Sequence, residues 1–471
     1  MVVRVIVVVL AASAVLIAGC GGASKPAASP TGTATTATAA VTAVPTASAA
    51  ADEAPMPQHV TFAPGETISA DGQAGIFFLD PKTGEAEGWV VPAATFPDSG
   101  PLPFSFTVGG CSADGGEVVY TCLEPKANSG PVPCGGGAHE LWYLLDTGSG
   151  ERTRLDAFTG PFLTISPDGS TLFGQTADAF ALADVSQAGV QRPAALPADS
   201  DTSYPHVDWS ADGGRLVLTT GGAKSTFLVD TTSGRVTPLN IASYSGSWSP
   251  DGARLVMWKQ IEEGQGEFRM LDRDGRLVWS KRASSNGTSG AWSADGSLLY
   301  AEVQDRPAAS PGFGPLDRVD VMDGTTGVTR YRIRSGFCPI GWVGETHRLL
   351  TESYGFREAL VDLAAGTLKF IDGYGIPTPF DPNLAILFDG SDFRSYDLTT
   401  GATKLIAHTT IGPAWDTNHG ALFAGNRLVF TPLHGGHGGC GEGAGPENPP
   451  RPEVVVGPFA DDAPVTRGPG Q

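Results

Sequence analysis

Positive charge is scarce in this chain. Thirty Lys and Arg stand against 50 Asp and Glu, a net charge of −20. A phosphate backbone would repel such a surface, so nucleic acid is not an expected partner. An acidic exterior is also an ordinary way for an exported protein to resist association. Long apolar runs are missing as well: beyond the first twenty residues none is long enough to span a bilayer, and none repeats with helical period, which argues against a helical body. The chain also lacks a Gly-x-Ser-x-Gly elbow, a His-Glu-x-x-His pair, a phosphate-binding loop, an EF-hand loop and a Cys-x-x-Cys. A fused serine hydrolase of the prolyl-oligopeptidase kind is therefore not expected, and no motif implies a resident cofactor.

What is abundant is turn chemistry. Sixty-three Gly and 37 Pro punctuate short β-branched and aromatic runs, the pattern of an all-β chain. The clearest unit is Ser247-Trp248-Ser249-Pro250-Asp251-Gly252-Ala253-Arg254-Leu255-Val256-Met257-Trp258. Pro250 sets the backbone of a tight turn, Asp251 bonds locally, and Gly252 can take the positive φ that closes a bulged hairpin. Trp248 stands one step before the corner, where an indole can fill the space between neighbouring sheets. Leu255 to Trp258 are apolar on both faces, as in a strand covered on both sides.

Copies of this corner begin at Cys111, Ile165, Trp209, Trp248 and Trp292, with weaker ones at Trp342, Phe380 and Trp415. A second corner, Asp-x-x-Thr/Ser-Gly, interleaves with them at Asp80–Gly84, Asp146–Gly150, Asp230–Gly234, Asp323–Gly327 and Asp397–Gly401, with looser versions near Asp184, Asp272 and Asp362. The period, about 35–54 residues, is that of four-stranded propeller modules. The series opens on an outer corner and closes on an inner one, so the two chain ends are expected to complete one shared blade. The reading is an eight-bladed β-propeller over residues 59–471, with seven blades as the alternative because Phe380-Asp381-Pro382-Asn383 matches poorly. Glu453–Val456 is expected to add a strand to the closing blade.

The Trp-Ser-Pro/Ala-Asp-Gly corners resemble the WD40-like repeats of the TolB propeller family, over roughly residues 60–435. The stretch Asp80–Trp89 is similar to quinoprotein-type repeats. The resemblance implies architecture and says little of activity, since propellers host lyases, hydrolases, dehydrogenases and docking modules alike.

Residues 1–19 read as a signal peptide, with Arg4 ahead of an apolar run from Val5 to Ile17. Leu16-Ile17-Ala18-Gly19-Cys20 resembles the bacterial lipobox, which implies that Cys20 is lipidated and becomes the mature N-terminus. Residues 20–58 are almost all Ala, Thr, Ser and Pro, a linker that cannot bury a core and that reaches about 35 Å from its anchor. The expected location is the outer face of the cytoplasmic membrane.

Cys20 aside, five cysteines remain. Cys122 and Cys134 flank one loop and are expected to pair; Cys338 and Cys440 are expected to meet across the same rim; Cys111 stays a small core residue. Two candidate sites follow. His434 and His437, with Cys440, could hold Zn or Cu, or belong to a plain glycine-rich rim loop. Tyr204, His206, Tyr244 and Phe337 stand just before inner strands and are expected to face the channel, where they could bind a ligand at its mouth or simply plug it. Long insertions at Glu262–Glu267 and Asp305–Asp317 extend the same rim. The expected role is a monomeric, non-catalytic module that binds an envelope protein, peptide or glycan. The alternative is a propeller enzyme, a quinoprotein-like dehydrogenase or a lyase, working at the channel mouth.

Overall fold

A computed structural model describes residues 58–459 apart from connecting segments, the longest being 134–140, 197–204, 284–290, 304–317, 410–420 and 431–452. The signal peptide, Cys20 and the linker lie outside the described residues. The protein is an eight-bladed β-propeller. Blades 2 to 8 follow the chain in order, each an antiparallel meander of four strands running from the axis outward. Blade 4, for example, is His206–Trp209, Arg215–Thr220, Ser225–Asp230 and Val236–Pro238, and blade 5 is Gly246–Trp248, Arg254–Glu262, Gln265–Asp272 and Leu277–Ala283. No helix among the described residues is long and apolar enough to cross a membrane.

Blade 1 is built from both ends of the chain. Its inner strands are Ala421–Ala424 and Arg427–Phe430, its outer strands Ala74–Leu79 and Ala86–Val91. They join where Phe77, Phe78 and Leu79 face Phe430, Val429 and Leu428 in antiparallel register. The inner hairpin turns at 425–426, not at a corner opening on Trp415 as the repeat spacing suggested. Gly-Asn is a two-residue hairpin connection and needs no longer corner. Gln58–Phe62 then adds an outermost strand to blade 1, and Thr67–Ile68 crosses to run parallel beside Thr403–Thr409 of blade 8. Lys82 and Asp381 pair at 3.0 Å between the same two blades.

Glu453–Val456 is a strand, but it belongs to blade 6. It pairs with Thr329–Arg334, Val456 facing Tyr331 and Glu453 facing Arg334. The outer edge of blade 1 is already filled by Gln58–Phe62, so a returning C-terminal strand must seek another edge.

The local chemistry of the repeats explains why they recur. In five corners the buried residues Ser112, Ser166, Ser210, Ser249 and Ser293 donate Oγ–H to the aspartate two positions on, at 2.5–2.8 Å. Each Oγ also accepts the backbone N–H five positions on, at 2.9 Å. The aspartate accepts a further backbone N–H, at 2.9–3.1 Å. Serine is the small side chain that can donate and accept in so tight a space. Gly252 closes its corner at φ 64°, which a Cβ would strain. Blade 8 shows why its corner was hard to read: Thr378, buried and one step earlier than the usual serine, bonds Asp381 O at 3.0 Å and Leu384 O at 2.6 Å.

Between blades the wedge indoles follow one rule. Trp209 Nε1 lies 3.4 Å from Thr164 Oγ1, while Trp248, Trp292 and Trp342 donate to the carbonyls of Asp208, Ser247 and Ala291 at 3.2, 3.0 and 2.9 Å. Each acceptor is the residue just before the corner aromatic of the preceding blade. Each indole therefore buries a large apolar area in the seam and leaves its one polar atom satisfied.

Candidate functional site: the seam between blades 4 and 5

The position one before the corner aromatic must be small, because the next blade's inner strand approaches it closely. It is Gly110, Thr164, Ser247, Ala291 and Gly341 in blades 2, 3, 5, 6 and 7. A Cβ at Gly110 would lie 3.0 Å from Thr164 Oγ1. In blade 4 the position holds Asp208, which is 3% exposed. One carboxylate oxygen, Oδ2, accepts the backbone N–H of Trp248 from blade 5 at 3.0 Å. The other, Oδ1, is buried and has no partner.

His206 lies two residues earlier on the same strand and so shares Asp208's face, the one turned towards blade 5. It is 9% exposed, and neither Nδ1 nor Nε2 has a partner. The strand register continues the row outward: His206 faces Thr219, and Thr219 faces Thr226. Residues directly opposite in neighbouring strands project from one side of the sheet. Both threonines are buried, and Thr226 Oγ1 is again without a partner. One step nearer the corner the same face turns apolar, where Val217 and Leu228 pack with Trp248, Leu255 and Met257.

From blade 5, the face that carries Met257 also carries Lys259, with Arg269 and Glu267 opposite them. Glu267 and Arg269 pair at 2.7 Å. The connection between the two blades passes Asn240, which at φ 51° is the one non-glycine residue with positive φ among the described residues. Asparagine tolerates that conformation better than most residues.

Burial sets the electrostatics. It pushes the Asp208 carboxyl up to about 8, against the pull of the Trp248 N–H, and pushes the His206 imidazole down to about 4. At pH 7 the row is therefore uncharged: a carboxylic acid, a neutral imidazole and hydroxyls. The corner aspartates behave oppositely. Burial raises Asp212, Asp251 and Asp295, but serine and backbone hydrogen bonds outweigh it and hold them below the usual carboxylate range. Those carboxylates are committed to their own turns.

Of the residues singled out by sequence, His206 is found in this seam as the first residue of the inner strand of blade 4. Phe337 opens the inner strand of blade 7 opposite Ser353; its side chain lies outside the described residues, as do Tyr204, Tyr244, His434, His437, Cys134 and Cys440. Cys122 and Cys338 lie on described strands, with side chains outside the description. Cys111 is buried at its corner. Asp208, Thr219 and Thr226 were not singled out. Asp208 had a readable signal, an acid where blades 2, 3, 5, 6 and 7 keep a small uncharged residue. No group of three or more His, Cys, Asp or Glu able to hold a metal occurs among the described residues.

No family model and no curated protein matches the sequence. Solved structures resemble it distantly. TolB from Acinetobacter baumannii is 16% identical over 54% of this chain and 61% of its own, with a TM-score of 0.29. Dipeptidyl peptidase 4 from Porphyromonas gingivalis is 12% identical over 67% of this chain and 53% of its own, with a TM-score of 0.46. Oligogalacturonate lyase from Vibrio parahaemolyticus is 10% identical over 80% of this chain and 96% of its own, with a TM-score of 0.39. The likeness extends to the propeller fold alone.

Proposed function

We propose that the protein is a binding module of the cell envelope, held at the outer face of the cytoplasmic membrane by lipid on Cys20 and presenting its propeller to an envelope component. The observation that carries the binding role is the distribution of polar groups. The repeated carboxylates are spent on turns, whereas His206 and Asp208 keep buried polar atoms without a partner on the innermost strand of blade 4. A buried polar atom left unmatched costs about 1–3 kcal/mol, so a pair of such side chains on one inner strand calls for a partner. The anchor rests on the sequence around Cys20 and on the Ala/Thr/Ser/Pro linker that follows it.

Metabolic labelling with a palmitate analogue should mark the protein, and Cys20→Ala should abolish the label and release the chain to the medium. Proximity labelling from the anchored protein should enrich an envelope component. An unlabelled wild type, or labelling that enriches nothing beyond the background of an unrelated lipoprotein, would overturn the proposal.

A further inference from the structure

We propose that the outer edge of blade 7 takes an extended peptide strand of alternating apolar and acidic side chains, its apolar side filling the groove between blades 6 and 7. This goes beyond the binding-module reading and does not depend on the blade 4–blade 5 seam. The edge is the strand Thr367–Ile371, and no further strand follows it in blade 7 among the described residues. The edges on either side are both covered: Glu453–Val456 extends blade 6, and Thr67–Ile68 extends blade 8. Of these three neighbours blade 7 is the one that ends on its fourth strand. Such an edge presents a row of outward backbone donors and acceptors that a peptide can continue.

The groove follows from the strand register. In blade 6, Val456 faces Tyr331 and Val454 faces Ile333. Tyr331, Ile333 and Val454 pack towards blade 7, with Trp342, Leu349 and Val361. Facing residues project from one side of a sheet, so Val456 belongs to that side too. In blade 7, Leu368 joins the same cluster, and Phe370, two residues on, shares its side. Phe370 is 45% exposed and Val456 62%, the two most exposed large apolar side chains among the described residues. They stand on opposite walls of one seam, above a buried apolar floor.

That arrangement selects the occupant. A bilayer is met by apolar side chains that project to a common plane, whereas these face each other across a cleft. A second copy meeting edge to edge brings two Lys369 side chains together, like charges on adjoining strands. A peptide strand satisfies both sides of the edge. Its residue opposite Phe370 points into the groove, between Phe370 and Val456, and its residue opposite Lys369 points towards blade 8. On that side Lys369 lies over the Tyr396 ring, 5.4 Å from its centre. Farther along, Asp392 is already shared by Arg394 and His408, at 2.5 and 2.6 Å. Lys369 is therefore the cation that an incoming carboxylate meets.

The test uses the whole chain in detergent with a fluorescein-labelled Thr-Val-Glu-Val-Glu-Val-Thr peptide, read by anisotropy and calorimetry. Binding should saturate. The same peptide with Lys for Glu, or with Pro for the central Val, should bind at least tenfold more weakly, the first through charge and the second through a lost ladder bond. Phe370→Asp should weaken binding at least tenfold, and Lys369→Glu should reverse the preference between the Glu and Lys peptides. A purely structural side chain would not produce that reversal. Both residues are exposed, so both variants should melt close to wild type. The proposal is overturned if the peptide does not saturate, if the Pro peptide binds equally well, or if Lys369→Glu leaves the preference unchanged. Dimers in sedimentation, or attachment to phosphatidylglycerol vesicles, that Phe370→Asp abolishes and that occur without peptide binding would give the edge to a second copy or to lipid, and would overturn it as well. Failure here leaves the envelope binding module to its own test.

Discussion

Glu87 and Arg427, 340 residues apart in the chain, share an ion pair across the strand that closes the ring. The Arg427 guanidinium also lies over the Phe78 ring, 4.9 Å from its centre, so it spans three adjacent strands. The second carboxylate oxygen of Glu87 meets His59 Nε2 at 3.1 Å, on the outermost strand. One side chain thus binds the last strand of the ring and the first strand of the body. A double-mutant cycle with Glu87→Gln and Arg427→Met should give a coupling of about 0.5–1 kcal/mol in denaturant unfolding, modest because both groups are partly exposed. Strict additivity would show that the pair does not contribute to closure.

Closure depends far more on the inner hairpin than on the strand added to blade 6. Deleting 453–471 removes one edge strand and should leave a folded ring with a lowered melting temperature. Deleting 421–471 strips the partner strand from Phe77, Phe78 and Leu79, each at most 1% exposed, and should leave no cooperative transition. Calorimetry on the two truncations separates these outcomes.

The corner serines give a sharper test of local chemistry. Ser249→Ala leaves the Arg254 N–H buried without its acceptor and should cost about 1–3 kcal/mol. Ser233→Ala, on an exposed outer corner where the Arg235 N–H reaches Oγ at 3.3 Å, should cost less than about 0.5 kcal/mol. Equal losses would contradict the double role of the buried hydroxyl.

The seam predicts a stability profile with pH. Asp208 keeps a proton in the folded state up to about pH 8 that the unfolded chain releases near 4, so stability falls as pH rises through that window. His206 does the reverse: between about 4 and 6.5 the unfolded chain binds a proton that the folded state refuses, so stability rises with pH there. The two slopes oppose each other from 4 to 6.5, and the Asp208 slope stands alone from 6.5 to 8. Lys259, Glu267 and Arg269 face the same seam and are present in every variant. Asp208→Asn should therefore remove the decline between 6.5 and 8, while His206→Phe should extend it down to 4. Thermal melts across pH 4–9 read this directly, and a decline unaltered in Asp208→Asn would assign it elsewhere.

Cys122 and Cys134 are proposed to pair. Their chain neighbours Leu123 and Pro133 face each other in register, and facing residues stand about 4.5–5.5 Å apart, within the span of a disulfide. Non-reducing peptide mapping of protein made under oxidising conditions should recover that linked pair; two alkylated thiols there would exclude it.

Much of the architecture was legible because its causes are local. Ser210, Asp212 and Gly213 bond within six residues, so the corner can be read wherever the letters fall, and counting corners counts blades. Thr378 ties its corner through two backbone carbonyls from a shifted position, which made the eighth blade harder to see. The partner of Glu453–Val456 was not legible, since it depends on which sheet edges other segments leave open. Asp208 was missed for a related reason. Its burial depends on Trp248, 40 residues on, so only comparison with the same position in other blades announces it.

A ring whose first sheet waits for residues 421–430 cannot form from the front of the chain alone. During synthesis Phe77 and Phe78 stay without their partner strand until residues 428–430 have followed them. The polypeptide therefore stays an open string of blades until that hairpin arrives and makes it a circle.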